Sequence, residues 1–327
     1  MEQTRRRQGT RQGWESVLIA NAGTFLKAPA VAPAASAIKA SGCRVVVFGL
    51  PFDSTTIARP GAQLGPRAIR DASCHFLSYH AEFEVDLFDE LGIVDAGDVE
   101  VVPGNAQATL DRCADLVGEV LDAGALPVFF GGEHVTTIGG TWGVDRHRPG
   151  KYGLIMFDTH LDTAQAVGGE RLNHCCPITR AMELGSFDPS KCVIIGPHGA
   201  MNPKAEVEYA RHQGITVFSV RDVERLGPAI VAEQALAKVA EGTDGVYLSV
   251  DMDCLNSAES PGTCVPTLGG LTGRELLRML EVVGRGNLVC MDLTEVNPAY
   301  DSGITAMGAC QVIVDTLAAY AIARRSN

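Results

Sequence analysis

The sequence predicts an α/β fold, a three-layer α/β/α arrangement around a central, mostly parallel sheet, and three observations carry that expectation. Short runs of Val, Ile, Leu and Phe recur along the chain and are apolar almost throughout, the pattern of strands buried on both faces. Longer segments with helical periodicity separate these runs, so successive strands need crossover connections. Polar residues cluster just after four of the runs, where parallel sheets place their ligands. The 327 residues fall within the reach of one large α/β domain, and 46% hydrophobic against 20% charged residues excludes a disordered chain.

Residues 1–39 read as an N-terminal arm of the kind that packs on a neighbouring subunit, with an irregular Ala/Pro-rich linker over 28–37. Residues 40–327 read as a single domain without internal repeats. Strands are expected at 45–49, 126–130, 154–157, 193–196, 216–220, 246–250 and 288–293, because these windows are short, apolar and rich in β-branched or aromatic residues. Helices are expected at 106–123, 230–241, 274–283 and 306–324, where apolar residues recur with a period near 3.6.

Bulk properties narrow the function classes. A formal net charge of -12 argues against a nucleic-acid or anionic-membrane footprint. It suits a small cationic substrate, although solubility is the commoner reason for surface charge. No apolar stretch approaches the ~18 residues that a membrane span needs. Arg5, Arg6 and Arg7 hint at a transit peptide, but Glu2 and Glu15 and the lack of a sustained amphipathic pattern oppose it. Ten cysteines occur without a C-x-x-C pair, which fits small buried hydrophobes in a reducing, cytoplasmic compartment.

The four strand ends carry Gly131-Gly132-Glu133-His134, Asp158-Thr159-His160-Leu161-Asp162, Asp251-Met252-Asp253 and Thr294-Glu295-Val296-Asn297-Pro298. In extended backbone, alternate side chains face one side, so Asp158, His160 and Asp162 share a face, as do Asp251 and Asp253. Four carboxylates converging in this way repel one another unless protons or cations neutralise them. Two divalent metal ions balance that charge, with His134 and His160 adding neutral nitrogens. An oxygen-rich set without thiolate suits Mn²⁺, with other first-row metals as alternatives. A water shared by two such ions loses a proton near neutral pH, which supplies a nucleophile. Each motif alone has a plainer reading: a turn, a cap or a core histidine. Three of them behind buried strands make a site the better one.

These motifs resemble the signatures of the ureohydrolase superfamily of arginases and agmatinases. The resemblance extends through Ser260-Pro261-Gly262-Thr263, Gly269-Gly270-Leu271 and Glu295-Val296-Asn297-Pro298, and upstream through Arg59-Pro60-Gly61-Ala62 with Gly65-Pro66. It covers the chain from about Val45 onward and is closest to the agmatinase-like branch. It implies an arginase-like fold and a binuclear amidinohydrolase, in which a metal-bridging hydroxide cuts urea from a guanidino compound and releases an amine. His134, Asp158, Asp162 and Asp251 would hold one metal, and Asp158, His160, Asp251 and Asp253 the other, with Asp158 and Asp251 shared. Glu295 would receive the guanidinium and His174 would pass a proton to the leaving amine, with Asp162 counted beside them as catalytic. A homo-oligomer, trimeric or hexameric, is also implied, with assembly beside a paralogous subunit as the alternative.

The chain departs from the family pattern at several positions. Glu133 stands where Asp is usual, Val135 where Ser is usual and Thr159 where a small Ala is usual. Asn256-Ser257 replaces Asp-Pro, His198 stands where Arg is common, and Cys175-Cys176 follows His174 where Gly-Thr or Gly-Gln is common. The last two are expected near the pocket mouth and leave the substrate open. An agmatine-like compound or a guanidino acid comes first, and free guanidine, an alkylated guanidine or a biguanide, with Ni²⁺ in place of Mn²⁺, is the alternative. A metallophosphoesterase would need a later Gly-Asn-His, which is absent, and a related deacetylase would keep fewer carboxylates. A non-catalytic paralogue should have lost ligands, and none of the six is lost.

Overall fold

The apolar runs become strands whose side chains are buried on both faces. In the computed structural model, which describes residues 23–325, they are β1 (Val45–Gly49), β2 (Val94–Asp98), β3 (Leu126–Phe130), β4 (Tyr152–Phe157), β5 (Phe187–Ile195), β6 (Thr216–Phe218), β7 (Gly245–Asp251) and β8 (Leu288–Thr294). Their spatial order is β2-β1-β3-β8-β7-β4-β5-β6, and every pairing in this sheet is parallel. A separate antiparallel pair joins Tyr79–His80 to Val85–Asp86.

Alternate strand residues feed two cores. Val45, Val47, Ile155, Leu248 and Met291 pack under α2 (Gly65–Ser73), α9 (Pro228–Ala240), α10 (Gly273–Val283) and α11 (Ile304–Arg325). Val46, Phe48, Phe129, Met156 and Tyr247 pack under α1 (Ala35–Ser41), α4 (Ala106–Asp122), α5 (Thr136–His147), α6 (Pro177–Met182) and α7 (Lys204–Gln213). The result is the three-layer α/β/α sandwich. Two further helices, α3 (Leu87–Leu91) and α8 (Val220–Leu226), complete the set among the described residues.

Several elements differ from the sequence expectation for identifiable reasons. β2 has no apolar run, because its Asp95 is buried against the guanidinium of Arg70, at 2.9 and 3.0 Å. The strand expected at 216–220 ends at Phe218, since Ser219 caps α8 in a reciprocal pair with Asp222. α5 was not expected, because its three glycines weaken helix propensity. Those glycines instead let α5 approach α4 closely: a Cβ on Gly139 would lie 2.8 Å from Cβ of Cys113, and one on Gly143 would press on Val117. The linker expected over 28–37 is partly helical, as α1 begins at Ala35 and ends on Gly42 in the left-handed region. α11 is long and apolar enough to cross a bilayer by composition, contrary to the sequence reading, but 72% of its apolar window is buried in the protein.

Residues 1–22, including most of the expected arm and Arg5–Arg7, lie outside the described residues. The described part of the arm packs on its own chain: Phe25 and Leu26 are buried, with the Phe25 ring 5.1 Å from that of Phe130.

The consequence for function lies at the sheet centre. The four strands that precede the polar motifs are contiguous, in the order β3-β8-β7-β4. Phe130 pairs with Leu293, Leu293 with Val250, and Val250 with Phe157. All four motifs therefore leave the sheet at one level.

Gly143→Leu should overpack the α4–α5 contact and cost about 1–3 kcal/mol of stability, measured by urea denaturation. A variant as stable as the parent would mean that the two helices do not meet closely.

Candidate functional site

His134, at the start of the turn leading into α5, is the centre of the site. Its Nδ1 lies 2.9 Å from Asp158 Oδ2, 3.0 Å from Asp162 Oδ2 and 3.1 Å from Asp251 Oδ2. None of these approaches has hydrogen-bond geometry, and Nδ1 and Asp158 Oδ2 are buried without a partner. The four atoms are therefore aimed at a common point rather than at one another. A second cluster shares Asp158: His160 Nδ1 lies 3.2 Å from Asp158 Oδ1 and 3.4 Å from Asp253 Oδ2. The donors His134, Asp158 and Asp251 form one group that fits a cation, and Asp158, His160 and Asp253 form another.

The structure brings all six expected ligand residues together, but not by the extended-strand route. β4 ends at Phe157, and Asp162 sits at φ 49° in the left-handed region. β7 ends at Asp251, and Met252–Cys254 forms a 3-10 turn in which Asp253 N–H donates to Asp251 Oδ1 at 2.7 Å. Asp251 thus reaches the His134 cluster through Oδ2, while its other oxygen holds the turn.

Metal-free electrostatics reflect the crowding. Burial, followed by neighbouring carboxylates, raises Asp253 well above the usual carboxylate range and Asp251 to about 7. Burial opposes charge on His160, yet Asp253 and Asp158 outweigh it and lift the imidazole to about 11. Protons occupy this cluster wherever cations do not.

Around the cluster lies a network that sequence reasoning did not find. Ser249 Oγ donates to Asp292 Oδ1 at 2.6 Å, and Tyr247 donates to Oδ2 of the same carboxylate. Ser249 Oγ is therefore free to accept from His134 Nε2 at 3.1 Å. With its proton on Nε2, the neutral imidazole presents a bare Nδ1 lone pair to the cluster, the orientation that a ligating histidine needs. A lone Asp inside an otherwise apolar buried strand was the available signal.

Glu295, after β8, also sits in the left-handed region at φ 62°. Such backbone costs about 1–3 kcal/mol and persists only where its surroundings impose it. Here Glu295 N–H donates to Gly132 O at 2.9 Å, and its Oε1 accepts from His134 N–H at 2.9 Å. Gly132 must be glycine, since a Cβ there would collide with the Phe52 carbonyl. Glu295 Oε2 is buried, unpartnered and part of the pocket wall.

His174 Nδ1 lies 3.6 Å from Glu295 Oε1, and His174 Nε2 accepts from Ile57 N–H at 3.3 Å. Thr55 couples the two loops involved. Its N–H donates to Glu133 Oε1 at 2.8 Å, its carbonyl accepts from Asn173 Nδ2 at 2.9 Å, and its hydroxyl accepts from His174 N–H at 3.1 Å. The longer Glu133 can thus reach Thr55, while burial pushes its own carboxyl up to about 8. Arg59 clamps the rim: it donates to the carbonyls of Pro261 (3.0 Å), Thr263 and Cys264 (3.2 Å), and its guanidinium lies over Tyr300. Asn297 Nδ2 in turn donates to Arg59 O at 2.9 Å and Pro60 O at 3.1 Å.

The pocket above the cluster has a volume of about 130 Å³ and is walled by Ile57, Met201, Pro203, Val265, Cys175 and Glu206 among others. Of the Cys175–Cys176 pair, Cys176 is buried and only Cys175 faces the pocket, whose wall also includes Cys264. His198 does not reach the mouth, contrary to the sequence expectation. Its Nδ1 bonds Gly196 O at 2.9 Å, its Nε2 bonds Thr267 at 3.0 Å, and it lines a separate hollow with Asn202 and Arg211. Thr159 ties two motif loops together, donating to Asp253 O at 2.7 Å.

The profile of the arginase family matches residues 43–319. Proclavaminate amidinohydrolase of Streptomyces clavuligerus is 35% identical over 88% of this chain and 91% of that protein. Its solved structure superposes with a TM-score of 0.83, covering 92% of this chain and 97% of that one at 32% identity. Agmatinase of Proteus mirabilis is 34% identical over 93% of this chain and 94% of its own length. Guanidinopropionase of Pseudomonas aeruginosa is 31% identical over 90% of each.

Ser249→Ala should release His134 Nε2 and lower metal affinity by roughly 10–100-fold while the fold is kept, read by competition with a chromogenic chelator. Unchanged affinity would mean that Ser249 does not orient the imidazole.

Proposed function

The chain belongs to the arginase family and is a hydrolase of carbon–nitrogen bonds, and on that premise we propose that it cleaves a guanidino compound to urea and an amine at the carboxyl ends of β3, β4, β7 and β8. The observation that carries this reading is the convergence of unpaired donors, His134 Nδ1 and Asp158 Oδ2 on one side and Glu295 Oε2 on the other. A cation site and a guanidinium acceptor are thereby set side by side.

The donor chemistry fits two divalent ions: imidazole nitrogens and carboxylate oxygens without thiolate, with Mn²⁺ first and Ni²⁺ as the alternative. His134, Asp158, Asp162 and Asp251 would hold one, and Asp158, His160, Asp251 and Asp253 the other. When bound, such a pair acidifies a water toward neutral pH and withdraws charge from the reacting centre.

The chain's own residues do the rest. Glu295 Oε2 accepts guanidinium N–H and orients the planar group by a charge-assisted bond, while Oε1 stays fixed by His134 N–H. Water adds to the guanidinium carbon, one carbon–nitrogen bond breaks, and the departing nitrogen takes a proton. In this reading His174 supplies it. To donate and return to a neutral ring, His174 must act as the imidazolium, whose Nδ1–H is the proton that faces Glu295; in that form Nε2 also carries a proton and gives up the contact with Ile57 N–H. Burial opposes its charge, but Glu295 outweighs burial and raises the imidazole above its ordinary value, which favours the imidazolium form that this role needs.

Urea release should be detected from at least one of agmatine, guanidinobutyrate, arginine, guanidine and dimethylguanidine once manganese or nickel is added. Silence across the panel from metal-replete protein would sink the reading. Asp253→Ala should lose one of the two metals by mass spectrometry together with nearly all turnover, and a fully active variant would overturn the ligand assignment. His174→Asn should lower kcat by roughly 10²–10⁴-fold with metal content unchanged; full activity would remove His174 from the proton path.

A further inference from the structure

Glu206 is a pocket carboxylate that none of the steps above uses. It stands in the first turn of α7, and its Oε2 accepts from Thr163 N–H at 3.1 Å, next along the chain to Asp162. It therefore lies beside the cluster but is not one of the six candidate ligands. Among the described residues no lysine or arginine pairs with it: Lys204, in the same turn, pairs with Glu208 at 3.4 Å. Among the described residues that wall the pocket there is no lysine or arginine. The basic groups there are His134, His160 and His174, and each is turned toward the buried cluster or toward Glu295.

Apolar side chains share this pocket with Glu295 and Glu206. Ile57, Met201, Pro203 and Val265 face the pocket, with Ile57 63% and Met201 47% exposed. A ligand that places its guanidinium on Glu295 therefore shares its pocket with these apolar side chains and with Glu206. A carboxylate arriving at Glu206 would meet a second carboxylate, with no lysine or arginine on the pocket wall to separate them. A protonated amine would meet a partner of opposite charge in a confined, partly desolvated site, where such pairing discriminates strongly.

We propose that Glu206 determines specificity by receiving the far end of the substrate, and that the enzyme takes guanidinoalkylamines in preference to guanidino acids. This rests on the ureohydrolase reading and names its substrate class. Glu206→Gln keeps an acceptor for Thr163 N–H and removes only the charge, whereas Glu206→Lys reverses it. The experiment measures kcat/KM for agmatine, guanidinobutyrate and guanidinopropionate on metal-loaded wild type and both variants. Calorimetry measures binding of the same compounds in a His174→Asn background.

Wild type should favour the amine by at least ~10-fold, Glu206→Gln should erase most of that ratio, and Glu206→Lys should invert it. A wild-type preference for either acid, or one amine-to-acid ratio shared by all three proteins, would overturn the proposal. If none of these three compounds yields urea while guanidine, dimethylguanidine or arginine does, the proposal falls and the ureohydrolase reading stands; if the whole panel is silent, that reading fails instead, and the calorimetric ranking still decides the role of Glu206.

Discussion

Four buried carboxylates and two imidazoles meet at the carboxyl ends of four adjacent strands, and the rest of the architecture is arranged around neutralising that charge. Left alone, the cluster binds protons, which is why burial and mutual repulsion raise Asp251, Asp253 and Asp162 together. Asp158 goes the other way despite its burial, because His134 and His160 flank its two oxygens. A fold that concentrates this much charge in a low-dielectric interior is stable only with counter-charge at the same point. The convergence of His134 Nδ1 and Asp158 Oδ2 on a shared point indicates where that counter-charge belongs.

Two further layers keep the cluster in shape. Beneath it, Asp292, Ser249 and Tyr247 fix the tautomer and tilt of His134 from within β7 and β8. Above it, loops hold one another rather than the sheet. Thr55 joins Glu133 to the His174 loop, Arg59 gathers the carbonyls of 261–264, and Asn297 closes on Arg59 and Pro60. The Arg-Pro-Gly-Ala, Ser-Pro-Gly-Thr and Glu-Val-Asn-Pro segments are therefore parts of one rim. Left-handed backbone at Glu295 is tolerated because the Gly132 carbonyl holds its N–H and His134 N–H holds its side chain.

Much of the site was legible because its donors follow strands whose composition is unambiguous. The apolar runs before His134, Asp158, Asp251 and Glu295 end where the strands end, to within a residue or so. Resemblance supplied Glu295 and His174, which periodicity could not assign. Asp292 and Ser249 were passed over because a polar residue inside a buried strand looks like an isolated irregularity until its partner is known. Ile57 and Thr55 bond the His174 segment across more than a hundred residues of chain, 117 in one case and 119 in another, and no local pattern signals such a pairing. α5 was missed for a related reason: its glycines are poor helix formers, and close packing on α4 outweighs that propensity.

By itself, the sequence determined the class of fold, the strands that carry chemistry and the kinds of donor at their ends, because apolar periodicity and residue type are local properties. Tertiary structure alone decided how those donors face one another. The parallel register of β3, β8, β7 and β4 brings the motifs to one level, and turns rather than extended backbone aim Asp162 and Asp253 inward. It also placed Cys175 in the pocket, withdrew Cys176 and His198 from it, and left Glu206 facing a pocket whose wall has no lysine or arginine among the described residues. Those outcomes depend on contacts between residues far apart in the chain, fixed by burial across the sheet, and no window of sequence contains both partners.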